Sequence, residues 1–423
     1  MKKYLFFLLL FSSSLTQNNE LERAKKDVAT LCTKKMAGRG YQNEGHVKAA
    51  KFIQKRFKNL GIQAINNDYN QLFPIQINSI ESATLKINGK KLQHGRDYII
   101  APNSHSGSNE RCILNLNYGL EIDKKEAHSE CNTLLIKSGL PENITTNDSL
   151  LNIYKFLKSD EAKINLHKKH SKYFIFQKNK LTASLENEAD ENTVINILDS
   201  VIKDEDFQNV DLKVTTKTIT TNSQNIIGFI PAINKTDSCI VLTGHYDHLG
   251  TQGSIYFPGA NDNASGIATL LALGKYFKNK PLQNTNIVLM AFSGEEAGLI
   301  GSKYYVEHPL FPLKNIKFLI NMDLMGNGTE GIMVVGGNEF QKEWKLLDTI
   351  NKQLRSVPVI KSRPNAPNSD HYFFLKNGVK GFFIYTMGGP PHYHDIDDTP
   401  KNLLFSKFNE VQSLMRTFIE KLD

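Results

Sequence analysis

A chain of 423 residues is longer than one ordinary domain and suits a large domain accompanied by a smaller one. With 40% hydrophobic and 22% charged residues, it has the composition of a folded globular protein, which excludes a disordered or fibrous chain. The net charge of +8 becomes 8 − 2 = +6 without Lys2 and Lys3, and the lysines are interleaved with acids; no basic stripe with aromatics occurs, which argues against nucleic-acid binding.

Residues 1–17 combine Lys2 and Lys3, an apolar run from Tyr4 to Phe11 and a tail of small residues. This is the pattern of a secretory signal peptide, with cleavage expected between Ser13 and Gln17. The run is too short to span a bilayer. The expectation is therefore an exported protein, periplasmic or extracellular, without a stable membrane span after signal removal. Cys32, Cys112, Cys131 and Cys239 include no CxxC, which argues against a thiolate zinc site. Cys112 and Cys131 bracket one segment and could pair, whereas Cys239 opens an apolar strand and reads as a small buried hydrophobe.

Residues 18–71 read as the N-terminal helical part of the large domain. NELERAKKDVATLCTKKM and GHVKAAKFIQKRFKNLGI carry apolar stripes at helical spacing, separated by the glycine-rich AGRGYQNEG. From 72 to 207 the texture turns to short β-rich runs such as FPIQI, ATLKI, DYIIA and YFIFQ, with helical pieces expected at SLLNIYKFLKS and ENTVINILDSVIKD. This region is read as a smaller domain inserted into the first; its His128, His167 and His170 are expected on the surface. Residues 208–423 alternate strand runs (KVTTKTI, NIIGFI, CIVLTG, NIVLMAF, FLINMDL, GIMVVG, GFFIYT) with helical ones. Such alternation implies an α/β fold, a mixed, mostly parallel central sheet covered by helices on both faces.

In these sheets functional residues gather at strand ends and the loops that leave them. His245, Asp247 and His248 follow CIVLTG; Asp262 lies in PGANDNASG; Glu295 and Glu296 follow NIVLMAFSG; Asp323 ends FLINM; His371 lies in NSDHYFF, and His392 and His394 in GPPHYHDIDDTP, where Thr399 and Pro400 suggest a helix cap. Each alone has an ordinary reading: a strand-end His, an N-cap for Asp262, acids of a helix first turn, a buried Arg partner for Asp323, surface loop histidines. Asp247, two positions after His245, would orient it from the same face of the strand. Together, two His, three acids and one spare Glu suit a two-zinc hydrolytic centre.

These motifs, in this order across 241–400, resemble the zinc-dependent exopeptidase family of secreted bacterial leucyl aminopeptidase and aminopeptidase Y, which also contains glutamate carboxypeptidases and glutaminyl cyclases. The resemblance implies two Zn2+ per chain, with His245, Asp262, Glu296, Asp323 and His394 as metal ligands. By this likeness His245 and Asp323 share one zinc, Glu296 and His394 the other, and Asp262 bridges. Glu295 matches the general base and Asp247 the carboxylate that orients His245. Asp370, His371, Tyr246 and Tyr393 are candidates for contact with, or support of, the substrate. The family often has a Tyr before its S-D-H segment as oxyanion donor; here 364–368 read PNAPN, leaving Tyr246, Tyr372 and Tyr393 as candidates. The 72–207 insertion is placed like a protease-associated domain or lid. The implied function is an exported dinuclear zinc aminopeptidase acting on peptides with a free N-terminus through a metal-bridging hydroxide. Alternatives on the same fold are a glutaminyl cyclase, a carboxypeptidase or a non-catalytic binding module. A glutaminyl cyclase typically uses one zinc, against which the five-ligand set weighs.

Overall fold

The computed structural model describes residues 19–108, 114–116, 133–136, 172–177, 179–202 and 209–423. The expected signal peptide, the Cys112–Cys131 pairing, the three histidines of the smaller domain and the helical piece at 149–159 lie outside the described residues. Cys32 and Cys239 are free and buried.

The chain divides into two compact units. The first takes residues up to Ile75, Thr221–Gly250 and Phe257–Asp423. Besides the short Gln63–Ala64 and the first residues of Asn70–Ile87, it contains seven strands of an eleven-stranded sheet. In chain order these are β1 (Val210–Ile230, of which 221–230 lies in this unit), β2 (Cys239–His245), β3 (Asn286–Phe292), β4 (Ile316–Met322), β5 (Gly331–Val335), β6 (Ile360–Arg363) and β7 (Gly381–Met387). Their spatial order is β6-β5-β7-β4-β2-β3-β1. β2 pairs in parallel with β3 and β4, and β4 with β7; β1 on β3 and β5 on β7 are antiparallel. The sheet is thus mixed with a parallel centre.

Every residue of β2 and β3 is buried, as strands covered on both faces require. Side chains alternate between two apolar clusters: Ile240 and Leu242 enter one, Cys239 and Val241 the other. The first cluster is covered by helices. These are α1 (19–31), α2 (Gly45–Leu60), α3 (Gly266–Asn279), α5 (Gln341–Leu354) and α7 (Phe408–Leu422). α7 shows why: Phe408, Val411, Leu414, Met415, Phe418 and Ile419 recur at three- and four-residue spacing and all are buried. Each such side chain contributes about 1.5–3 kcal/mol on burial. The second cluster packs Phe374 from α6 (His371–Lys376) and Tyr305 from α4 (Ile300–Glu307).

The second unit takes Gln76–Thr220 and the hairpin of Thr251–Gln252 with Ile255–Tyr256. Its five-stranded sheet runs in the order Tyr98–Ile100, Thr193–Leu198, Lys172–Gln177, Thr133–Ile136, Leu114–Leu116. The first pair is antiparallel and the others are parallel. The segment ENTVINILDSVIKD, expected to be helical, contains the strand Thr193–Leu198. Val194, Ile197 and Leu198 fit helical spacing, yet Ile195–Ile197 pairs on both sides and the β-branched run Thr193–Ile195 is buried, so sheet packing decides. KVTTKTI and NIIGFI, expected as two strands, are one continuous strand, β1. Thr399–Pro400 begins a turn rather than a helix; α7 starts at Phe408.

Candidate metal centre

Because β2, β3, β4 and β7 run in parallel, their carboxyl ends lie on one edge of the sheet. His245 is the last residue of β2 and pairs with Phe292, the last of β3. Glu295 and Glu296 lie in the turn after β3, Asp323 follows β4, and the loop leaving β7 carries His394. Asp262 sits in an irregular helical turn, Ala260–Ser265, before α3. It is not the N-cap of α3, a position that Ser265 takes.

The five residues expected to bind metal come together. His245 Nε2 lies 3.3 Å from Asp262 Oδ1 and 3.4 Å from Asp323 Oδ2. His394 Nε2 lies 3.0 Å from Asp262 Oδ2 and 3.1 Å from Glu296 Oε2. Asp262 therefore turns one oxygen to each imidazole. Glu295 stands slightly apart, with Oε2 4.0 Å from His245 Nε2.

The residues present fit divalent metal. Two N or O ligands each ~2.0–2.1 Å from one tetrahedral zinc stand ~3.3 Å apart, which is the spacing around His245. His245 Nε2, Asp262 Oδ1 and Asp323 Oδ1 are buried and make no hydrogen bond among the described residues. Such groups are costly unless an ion satisfies them. Two overlapping ligand sets, His245–Asp262–Glu296 and His245–Glu295–Asp323, lie close enough to hold an ion. A further set, His392, Asp395 and Asp397, is half-exposed.

Negative charge dominates the cluster. Asp247, Asp262, Glu295, Glu296, Asp323 and Asp370 converge there, and among the described residues none of them pairs with Lys or Arg. Burial raises Glu295 well above the usual carboxylate range; His245 opposes this, and the charges of Glu296, Asp370 and Asp323 add to it. For Asp262, burial is outweighed by His245 and His394, which pull it well below that range. Glu296 is brought to about 2, against burial, by His394 and His248.

The supports of the ligands were less visible in the sequence. His248 Nδ1 lies 2.6 Å from Glu296 Oε1 and fixes that carboxylate. Asp398 accepts the backbone N–H of Asn261 at 2.8 Å and of Asp262 at 3.0 Å, so it shapes the turn that carries Asp262. Ser369 donates to Asp323 Oδ2 at 3.3 Å and accepts Asn321 Nδ2 at 2.8 Å. His245 Nδ1 faces the Asp247 carbonyl at 3.2 Å, with the Asp247 carboxylate at 3.7 Å, so the main chain shares the orienting role expected of Asp247.

Tyr246 has its hydroxyl committed within the protein. It is fully buried and its hydroxyl donates to the Gln224 carbonyl at 2.6 Å. In a strand, neighbouring side chains alternate sides, which turns Tyr246 away from the face of His245. Asp370 is buried beside the cluster, and burial raises it to about 7. His371 is buried with its ring 5.2 Å from that of Phe383. Tyr372 is half-buried on α6, its ring against Phe373. Tyr393 is 47% exposed, and its ring stacks on His394 with centroids 3.8 Å apart.

Residues 225–419 match the model of Peptidase family M28. Over about half of this chain, the sequence is 28% identical to a probable leucine aminopeptidase of Arthroderma otae and 28% identical to aminopeptidase YwaD of Bacillus subtilis, covering 47% and 46% of this chain. The matched part spans 56% and 43% of those relatives' lengths. Among solved structures, a zinc aminopeptidase from Bacillus subtilis shares the fold with a TM-score of 0.69 at 21% identity, over 95% of this chain and 94% of that one. An aminopeptidase from Aneurinibacillus sp. strain AM-1 does so with a TM-score of 0.64 at 21% identity, over 95% and 93%. Over residues 225–419, just under half of the chain, the sequence is thus similar to Peptidase family M28.

Proposed function

We propose that the chain is an exported dinuclear zinc aminopeptidase. The observation that carries this reading is the Asp262 carboxylate, which faces His245 with one oxygen and His394 with the other. His245, Asp262 and Asp323 would hold one ion, and His394, Asp262 and Glu296 the second. When bound, the ions supply Lewis acidity to the scissile carbonyl and lower the pKa of the attacking water.

Glu295 is the carboxylate left over from ligation. Its raised affinity for a proton suits a general base that takes the water's proton and passes it to the leaving amine. Tyr393, exposed beside His394, would donate its hydroxyl to the oxygen that becomes negative. The choice of the amino end follows the names of the relatives, a probable leucine aminopeptidase and aminopeptidase YwaD. A cavity beside the loop of His394 has mixed walls, apolar at Leu324, Leu403 and Leu404 and polar at Asn261, Asn327, His392 and Asp398. Export rests on the signal-like segment 1–17.

A panel of dipeptides and aminoacyl amides, each also N-acetylated and each assayed with and without chelator, tests the reading. Cleavage of free-amine substrates that acetylation and chelator both abolish is expected. Release of ammonia from N-terminal Gln peptides without hydrolysis would instead indicate a glutaminyl cyclase.

A further inference from the structure

The M28 match begins at residue 225, yet two side chains from residues 37–41 reach the centre from outside it. Arg39 is fully buried and has no carboxylate partner among the described residues. Its guanidinium instead donates to five main-chain carbonyls. Nε reaches Tyr246 at 2.8 Å; Nη1 reaches Pro258 at 2.6 Å and Leu31 at 3.2 Å; Nη2 reaches Gly259 at 2.7 Å and Asp262 at 3.0 Å. Five N–H donors thus meet five acceptors, which only the planar fork of arginine can do. Two of those carbonyls belong to Asp262 and to Tyr246, the neighbour of His245.

Two residues further on, Tyr41 is buried and donates to Asp247 Oδ2 at 3.0 Å. The other oxygen, Oδ1, accepts the N–H of Glu295 at 3.3 Å and stands 3.7 Å from His245 Nδ1. Holding Oδ2 therefore fixes which way Oδ1 points. Burial pushes the Tyr41 hydroxyl well above its ordinary range, so it remains a donor. The segment is built for close approach. A Cβ on Gly40 would run into the Gly250 backbone, and one on Gly259 would meet Arg39 Nη2. Gly250 N–H also donates to the Gly38 carbonyl at 3.1 Å.

We infer that residues 37–41 are a working part of the metal centre, with Tyr41 positioning His245 and Glu295 through Asp247, and Arg39 positioning the bridging Asp262 through its backbone. The inference rests on the dinuclear reading above. Partners of this kind typically tune metal affinity 10–100-fold. Arg39 and Tyr41 are positioning residues, since neither touches a reacting atom.

The test uses the full chain and zinc alone, with zinc affinity measured by competition against a chelator and melting followed on the zinc-free protein. Tyr41→Phe removes one oxygen and keeps the ring against His46, 4.8 Å away. It is expected to weaken zinc about 10–100-fold while the zinc-free melting temperature moves by less than ~4 °C. Arg39→Lys keeps the charge but not the fork; it is expected to weaken zinc by a similar factor. If it fails to fold, Tyr41→Phe decides. Tyr41→Phe with zinc affinity within about threefold of wild type overturns the inference alone. A wild-type chain that takes up no zinc overturns the dinuclear reading and the inference with it.

Discussion

Asp262 Oδ2 lies 3.0 Å from Nε2 of His394, a residue that arrives from a loop on the far side of five intervening strands in sequence. The other Asp262 oxygen is 3.3 Å from His245. One carboxylate thus joins the two halves of the cluster, and each half depends on it. Asp262→Asn keeps the shape and removes the charge. It is expected to lower zinc content below two per chain and kcat by at least ~10²-fold, read by metal analysis and peptide turnover.

Glu295 is predicted to act on protons and not on metal. Glu295→Gln should therefore retain zinc at the wild-type level and lose at least ~10²-fold in kcat with little change in KM. Turnover near that of wild type, in a variant shown to hold its zinc, would contradict the role assigned to this residue.

His248 has no ligand role, yet its Nδ1 lies 2.6 Å from Glu296 Oε1. Replacing it by Phe leaves Glu296 without this partner. The expected outcome is about 10–100-fold weaker zinc retention against a chelator, with activity restored by excess zinc. Activity that zinc cannot restore would mean that His248 does more than orient Glu296.

The pattern of apolar runs ending in His, Asp or Glu made most of the clustered residues legible in the sequence. CIVLTG, NIVLMAF and FLINM are buried strands whose ends face one edge, so position along the strand predicts position in space. Asp262 and His394 were readable only as parts of loop motifs. What escaped was the support. Arg39 and Asp398 act on backbone carbonyls and N–H groups, which carry no side-chain signature in a single sequence. The hairpin at 251–256 belongs to the second unit although flanked by residues of the first, a placement that tertiary contacts alone reveal.

His371, which holds no metal in this account, supplies a pH test. Burial lowers it to about 3 from 6.5. The unfolded chain therefore binds a proton that the folded one excludes between these values. Stability from this group is present above pH ~6.5 and lost as pH falls toward ~3. Between pH 7 and 5 the loss is about 2 kcal/mol, from ~1.36 kcal/mol per unit. Denaturant melts of zinc-free protein should show His371→Phe losing that much less than wild type over this range. Parallel pH profiles for the two proteins would contradict a buried, neutral His371.

The central claim is a two-ion centre bridged by Asp262. The measurement that tests it most directly is zinc per chain by native mass spectrometry, after chelator treatment and titration with zinc. The account predicts two zinc ions per wild-type chain, with peptide turnover recovering only as zinc is restored. A wild-type chain that saturates at one ion, or that hydrolyses peptides fully while metal-free, would contradict it.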